Sequence, residues 1–258
     1  MALTRTEAVV LKSTDYSESS RIYRLYTLDF GLQSLIAKGV RRPENRLRAA
    51  LERLNHIEVI YYKSPNRNLY TLSQASIIDA FRSLATDIHR FCKASAVAEM
   101  VLKLGAEEEG NTEVFRILVQ SLRAFSRRPL STLGERMISY IWGIFSACGY
   151  APRVDSCVRC GKTANARMDA PFSIREGGVI CSRCGGEKDG EVSPLSIKMA
   201  RAMTDRGAGT VLGLDAAEEE AMLRLTEEYL RYHVHEQKPI ASWELLRSLR
   251  SEAGPLVS

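Results

Sequence analysis

Residues 5–12 read RTEAVVLK, residues 21–28 RIYRLYTL and residues 32–38 LQSLIAK. Each run is dense in β-branched, aromatic or other apolar residues, and turn formers such as Asp29-Phe30-Gly31 separate them, which is the pattern of short strands. Two further runs, 57–63 and 69–72, flank Ser64-Pro65-Asn66. Between the third and fourth runs, Leu47, Leu51 and Leu54 recur at helical spacing over residues 46–54. Five short strands with one helix between the third and fourth predict an OB-fold β-barrel. An SH3-like barrel is the competing arrangement.

From about residue 79 the period changes from two to that of a helix. Ile88, Phe91, Cys92, Val97, Met100, Val101 and Leu104 share one apolar face. A second helix is expected from Thr112 as its N-cap, and a third over 133–147, carrying Met137, Ile138, Ile141, Trp142 and Phe145. Ser193-Pro194 has the cap-then-proline order that opens a helix. Asp215 precedes a long helix, and a last one covers about 242–250. The acidic runs 107–109 and 218–220 read as solvated helix surface.

Four cysteines interrupt the helical series. Cys157 and Cys160 form Cys-x2-Cys, as do Cys181 and Cys184, and 20 residues separate the two pairs. This is the spacing of a four-thiolate zinc site, in which each pair curls round one ion and glycine eases the turn. Gly161 follows the first pair and Gly185-Gly186 the second. Two disulfides or a vacant remnant are the alternatives. Four thiolates close the coordination shell, so one zinc with a structural role is expected rather than a catalytic ion with an open position. The spacer holds few large apolar residues, chiefly Met168, Phe172, Ile174, Val179 and Ile180. Metal ligation is therefore expected to carry its folding, at the ~10–16 kcal/mol typical of structural zinc. The expected organisation is α+β multidomain: an OB-fold domain over 1–79, helical parts over 80–150 and 191–258, and a zinc module over 151–190 inserted between them. Cys92 and Cys148 fall in apolar helical patterns and read as small buried hydrophobes.

Composition narrows the function classes. The chain has 258 residues, 45% of them hydrophobic, and a net charge of +5. Residues 1–80 hold 12 Lys/Arg and 8 Asp/Glu, so most of the positive excess lies in the first third. That asymmetry points to a polyanionic partner. The opening MALTRTE lacks the apolar core of a signal peptide and no run approaches a membrane span, so a cytoplasmic protein with reduced thiols is expected. No phosphate-binding Gly-x4-Gly-Lys-Ser/Thr loop, dinucleotide fingerprint, Gly-x-Ser-x-Gly elbow or His-Glu-x-x-His motif occurs. The histidines, His56, His89, His233 and His235, form no catalytic constellation, and no enzyme is expected. The stretch Lys38-Gly39-Val40-Arg41-Arg42-Pro43 places guanidinium groups on a turn, a geometry suited to phosphate. Arg46 and Arg48 extend it along the next helix, and Lys12, Arg21 and Arg24 are expected to add to it from neighbouring strands. Tyrosines 16, 23, 26, 61, 62 and 70 are interspersed; about half must be core, and exposed ones could stack on bases.

The words Thr6 to Lys12, Asp15 to Arg21, Thr27 to Gly31, Ala37 to Pro43 and Leu47 to Glu52 resemble the bacterial RecO recombination-mediator family. So do Cys148-Gly149-Tyr150, the four cysteines, and Lys238-Pro239-Ile240 with Ser242, Leu245 and Leu246. The resemblance implies an OB-fold, a helical domain and an embedded zinc module. It further implies DNA repair and recombination through the RecF pathway. Its members bind single- and double-stranded DNA, anneal complementary strands, and act with RecR to load RecA onto DNA coated by single-stranded-DNA-binding protein. Lys38, Arg41 and Arg42 match the family's basic DNA-facing stretch, and Arg136 falls where the acidic C-terminal tail of single-stranded-DNA-binding protein would dock. The runner-up is a zinc-stabilised protein-interaction scaffold that binds acidic protein segments.

Overall fold

In a computed structural model, described over residues 2–63, 68–163, 170–185, 193–195, 209, 211, 213–234 and 240–252, five strands close into a barrel. They are β1 (Ala2–Asp15), β2 (Arg21–Thr27), β3 (Gly31–Ala37), β4 (His56–Lys63) and β5 (Tyr70–Asp79), hydrogen-bonded in the order β1-β2-β3-β5-β4. Every pairing is antiparallel except β3 with β5, where Leu35 and Ile36 face Tyr70 and Thr71 in parallel register. β1 is long enough to serve two neighbours. Ala2 to Val9 pair with β4, Ala8 to Asp15 with β2, and a register shift between Val10 and Lys12 bends the strand between the two partners.

The continuous apolar run Ala8-Val9-Val10-Leu11 follows from burial on both faces, where alternation has no water-facing side to mark. Ala8 and Val10 join Leu25, Leu35, Ile57, Val59 and Tyr61 inside the barrel. Val9 and Leu11, with Tyr26, Leu32 and Leu54, instead belong to the core formed by the helices. The helix expected over 46–54 is a single turn, α1 (Leu47–Ala50). It stops because the Asn55 side-chain amide donates to the carbonyls of Ala49 and Ala50 at 2.9 and 3.2 Å, after which Leu54 turns left-handed with φ 71°.

The helices are α2 (Arg82–Thr86), α3 (Ile88–Leu104), α4 (Thr112–Arg127), α5 (Leu133–Ala147), α6 (Ala216–His233) and α7 (Ala241–Glu252), with a 3-10 turn at Leu130–Thr132. The N-cap of α4 is Asn111 rather than Thr112; its side-chain oxygen accepts from the amides of Glu113 and Val114, both at 3.1 Å. Asp215 caps α6 through a reciprocal capping box with Glu218. α5 is buried on nearly every side, and its Trp142 and Phe145 meet Tyr229 of α6 at ring centroid distances of 5.2 and 5.6 Å.

Three short strands, β6 (Ala170–Ser173), β7 (Gly178–Val179) and β8 (Ser193–Leu195), form a second sheet in the order β7-β6-β8. Ser193-Pro194 is thus strand, and the helix expected to begin there would run into 196–208, outside the described residues. Met168, Gly186, His235, Lys238, Pro239 and the 64–66 turn also lie outside them. The acidic run 107–109 is not helical surface. It forms the connection from α3 to α4 and lies against the barrel, where Glu107 bridges Gly31 and Leu32. No helix among the described residues is long and apolar enough to cross a membrane.

Candidate metal centre and nucleic-acid interface

The two Cys-x2-Cys turns meet. The sulfurs of Cys157, Cys160, Cys181 and Cys184 all lie within 4.8 Å of one another, a set that could hold a metal ion. Each turn is fixed by its own backbone. The Gly161 amide donates to the Cys157 carbonyl at 2.9 Å, and those of Cys184 and Gly185 to the Cys181 carbonyl at 2.9 Å. Gly161 takes φ 70°, the conformation that a Cβ resists. Arg159 clamps the turns together by donating to the Cys184 carbonyl and both carboxylate oxygens of Glu176.

The thiol of Cys157 is lowered to about 6, chiefly by the Cys181 amide, which donates to it at 3.3 Å, then by the amide of Cys160. Cys181 is lowered as well, led by the Cys184 amide, whereas Cys184 is pushed up to about 12 by the neighbouring thiols of Cys160 and Cys181. Four sulfurs this close repel as thiolates, and a cation among them removes that repulsion. The Cys160–Cys181 separation of 3.7 Å matches the ~3.8 Å edge of a tetrahedron with metal–sulfur bonds of ~2.3 Å.

The module also leans on the helices. Phe172 is fully buried and tilts against Tyr229 with centroids 6.3 Å apart. The His233 ring nitrogen lies 2.6 Å from the Ile174 carbonyl, and the Tyr229 hydroxyl donates to the Tyr150 carbonyl at 3.1 Å. Cys92 and Cys148 lie elsewhere; burial raises both thiols, Cys148 to about 11.

The basic residues are concentrated between β3 and α1. Lys38, Arg41, Arg42, Arg46 and Arg48 are all exposed, on a backbone that is well tied. The Gly39 carbonyl accepts from the Arg42 amide and from the Asn45 side chain, both at 3.1 Å. The Arg41 amide donates to the Ser19 carbonyl at 3.1 Å, joining this loop to the β1–β2 hairpin, and buried Val40 anchors it from below. Lys12, Lys38, Arg42, Arg46 and Arg48 make no ion pair among the described residues. Arg41 donates to the Ser17 carbonyl at 3.2 Å and lies 3.6 Å from Asp15.

Arg21 donates to Asp15 at 2.6 Å, which lowers the carboxyl below its usual range. Arg24 is turned towards Glu107 and Ser34. Arg136 donates to the Gly209 carbonyl at 2.5 Å and to Thr132 at 3.3 Å, so it holds the helical part together. Among the six tyrosines, Tyr23, Tyr26, Tyr61 and Tyr70 are buried. Tyr16, at the hairpin beside Ser17, is 60% exposed and Tyr62 is 43% exposed, which leaves these two able to present a ring face. Tyr62 alternates with buried Tyr61 along β4, whereas Tyr16 follows β1 in an exposed stretch and carries no such signal.

Residues 1–81 match the family model described as "Recombination protein O N terminal", and residues 85–243 the one described as "Recombination protein O C terminal". The chain is 32% identical over 251 residues to a protein named DNA repair protein RecO from Bifidobacterium longum subsp. infantis, covering 96% of this chain and 100% of that one. It is 31% identical over 243 residues to the protein of the same name from Roseiflexus sp., with 91% and 82% covered. A third, from Halalkalibacterium halodurans, is 30% identical over 201 residues, with 77% and 75% covered.

Proposed function

Because the chain belongs to the RecO family of DNA repair proteins, we propose that it is a non-enzymatic DNA-binding and strand-annealing mediator of the RecF pathway. In this reading the barrel over 1–79 is an OB-fold, which its strand order and single intervening helix support. The helical parts span 80–150 and 191–258 and enclose a zinc module at 151–190. In this reading one zinc ion on the four thiolates is structural, since four thiolates close its coordination shell. It holds the two turns in place and takes no part in a reaction.

The observation that carries the proposal is the loop after β3. Lys38, Arg42, Arg46 and Arg48 are exposed cations without acidic partners among the described residues, on a backbone held rigid by Asn45, Val40 and the hairpin. Cations that make no ion pair meet phosphates without first breaking internal pairs, and each contact releases counterions. Binding is therefore tolerant of sequence and steeply salt-dependent, on single and double strands alike. Neutralising two strands at once lowers their mutual repulsion and favours annealing. Lys12 and Arg21 widen the track beside the hairpin, and Tyr16 offers a stacking surface there. RecR and the acidic tail of single-stranded-DNA-binding protein are the proposed protein partners, with RecA loading as the outcome and the cytoplasm, at the nucleoid, as the setting.

Replacing Arg41 and Arg42 with Ala tests this reading. The slope of log affinity for oligothymidylate against log salt should flatten by ~1.4, about 0.7 for each lost single-strand contact. An unchanged slope and affinity in the folded variant would remove the loop from the DNA site and return the chain to a protein-binding scaffold.

A further inference from the structure

At the far end of the barrel from the basic loop, two cations are already occupied. Arg24 of β2 forks onto the Glu107 carboxylate, with its second nitrogen 3.1 Å from that group. Lys63 at the end of β4 donates to Glu108, which also accepts from the Tyr70 hydroxyl at 2.8 Å. The Lys63 ammonium sits 4.8 Å from the centroid of the Phe30 ring and 5.7 Å from that of Tyr70, so a cation is held in place there with or without its carboxylate. Both acids come from the connection between α3 and α4, far along the chain from the strands they meet.

The backbone of this strap and its side chains are held very differently. The Leu32 amide donates to the Ala106 carbonyl at 2.9 Å. A Cβ on Gly31 would lie 2.2 Å from the Glu109 carbonyl, and one on Gly110 would lie 2.5 Å from that of Asp29. The main chain is therefore pressed onto the β2–β3 turn and fixed. The two ion pairs are half in water: side-chain exposures are 26% and 61% for Arg24 and Glu107, and 32% and 38% for Lys63 and Glu108. Pairs of that kind contribute little to stability. Glu108 moreover takes φ 60°, a left-handed conformation that a residue with a Cβ disfavours. Weak carboxylate contacts on a fixed backbone can exchange for another anion without moving the strap.

We infer that Arg24 and Lys63 form a second phosphate-binding position on the barrel, for the backbone of a nucleic-acid strand, and that Glu107 and Glu108 occupy it in the strand's absence. The inference rests on the nucleic-acid reading above and adds to it. Two carboxylates stand where two phosphates would, so a strand enters by displacing them, and entry is opposed while the protein is free. The strap thereby sets a threshold: short or weakly held strands meet the basic loop alone, and longer ones engage both ends of the barrel.

The experiment measures oligothymidylate binding across a salt series, with full-length protein carrying Glu107→Gln and Glu108→Gln. Freeing two cations should steepen the slope by ~1.4. The ratio of affinities at 50 and 200 mM salt should then grow about sevenfold. Glu109→Gln removes a charge from the same loop without breaking either pair and should leave the slope as it is. Adding Arg24→Gln and Lys63→Gln to the first variant should cancel the gain. If the double variant unfolds, Glu107→Gln alone should steepen the slope by ~0.7. An unchanged slope in a folded Glu107 variant overturns the inference, and so does an equal change from Glu109→Gln. Loss of the Arg41 and Arg42 dependence in the parent protein would instead overturn the reading on which it rests.

Discussion

Within the barrel, 14 buried apolar residues drawn from five strands, α1 and the adjoining loop pack on one another. In the cysteine module, Phe172, Val179 and Ile180 are the large apolar side chains buried among the described residues, and Phe172 and Val179 pack into the core of the helices. The barrel has an inside of its own. The module borrows one, through Tyr229 and His233 of α6, and adds four sulfurs gathered within 4.8 Å. Burial at ~25 cal/mol per Å2 can hold a barrel of this size, but it cannot hold two turns and a two-residue strand. These two regions should therefore answer to different perturbations, one to loss of packing and the other to loss of the metal proposed on its sulfurs.

The largest separation should come from a chelator. Stripping the proposed structural zinc would remove a contribution of ~10–16 kcal/mol to the module's folding. Hydrogen exchange should then accelerate across 151–163 and 170–185, while β1 to β5 stay protected. Equal protection in both states would mean that no metal holds the module folded. Next come cavities. Phe172→Ala should lower stability by ~3–5 kcal/mol and Leu35→Ala by ~2–5 kcal/mol. Only the first should also lower the metal content of purified protein, because only Phe172 braces the module; equal metal loss from Leu35→Ala would contradict separate support.

The smallest effect concerns pH and His56, which is 3% exposed where β4 meets α4. Its ring nitrogen lies 2.9 Å from Glu7 and its ring stands 5.7 Å from that of Phe115. Burial lowers its pKa, the Glu7 carboxylate opposes that, Arg123 adds to it, and Asp79 opposes it. A lowered value means that the unfolded chain takes up a proton, near pH 6.5, before the folded one does. Stability is therefore full above that pH and falls as the solution is acidified through the folded value. His56→Asn should flatten the melting temperature between pH 7 and 5, and an unaltered pH profile would mean that another group is responsible.

The strands, the position of the helix between β3 and β4, and the cysteine cluster were legible because each has a local signature: alternation, spacing of leucines, and paired thiols with glycines. What was not legible is non-local. Nothing near Arg24 in the chain marks it as the partner of Glu107, 83 residues away. The run 107–109 reads as helix surface because acidic residues favour helices, yet Gly105 and Gly110 bound it, and the packing at Gly31 and Gly110 decides its path. Arg136 is placed by resemblance alone, and nothing near it in the chain marks the contact of its half-buried guanidinium with the carbonyl of Gly209. Ser193-Pro194 carries the local grammar of a helix start, but pairing with Pro171 and Phe172 takes it into a sheet.

The doubly buried centre of β1 has a consequence for how this protein is made. Val9, Leu11, Tyr26, Leu32 and Leu54 lie on the outside of the barrel, under α3, α4 and α5. During synthesis the barrel leaves the ribosome first, and the helices that cover those residues are complete only at Ala147. At ~5–20 residues per second the interval lasts several seconds, during which an apolar flank faces water on every nascent chain. A stop, a pause or a proteolytic cut just after β5 would leave that flank exposed, and so would any attempt to express the barrel by itself.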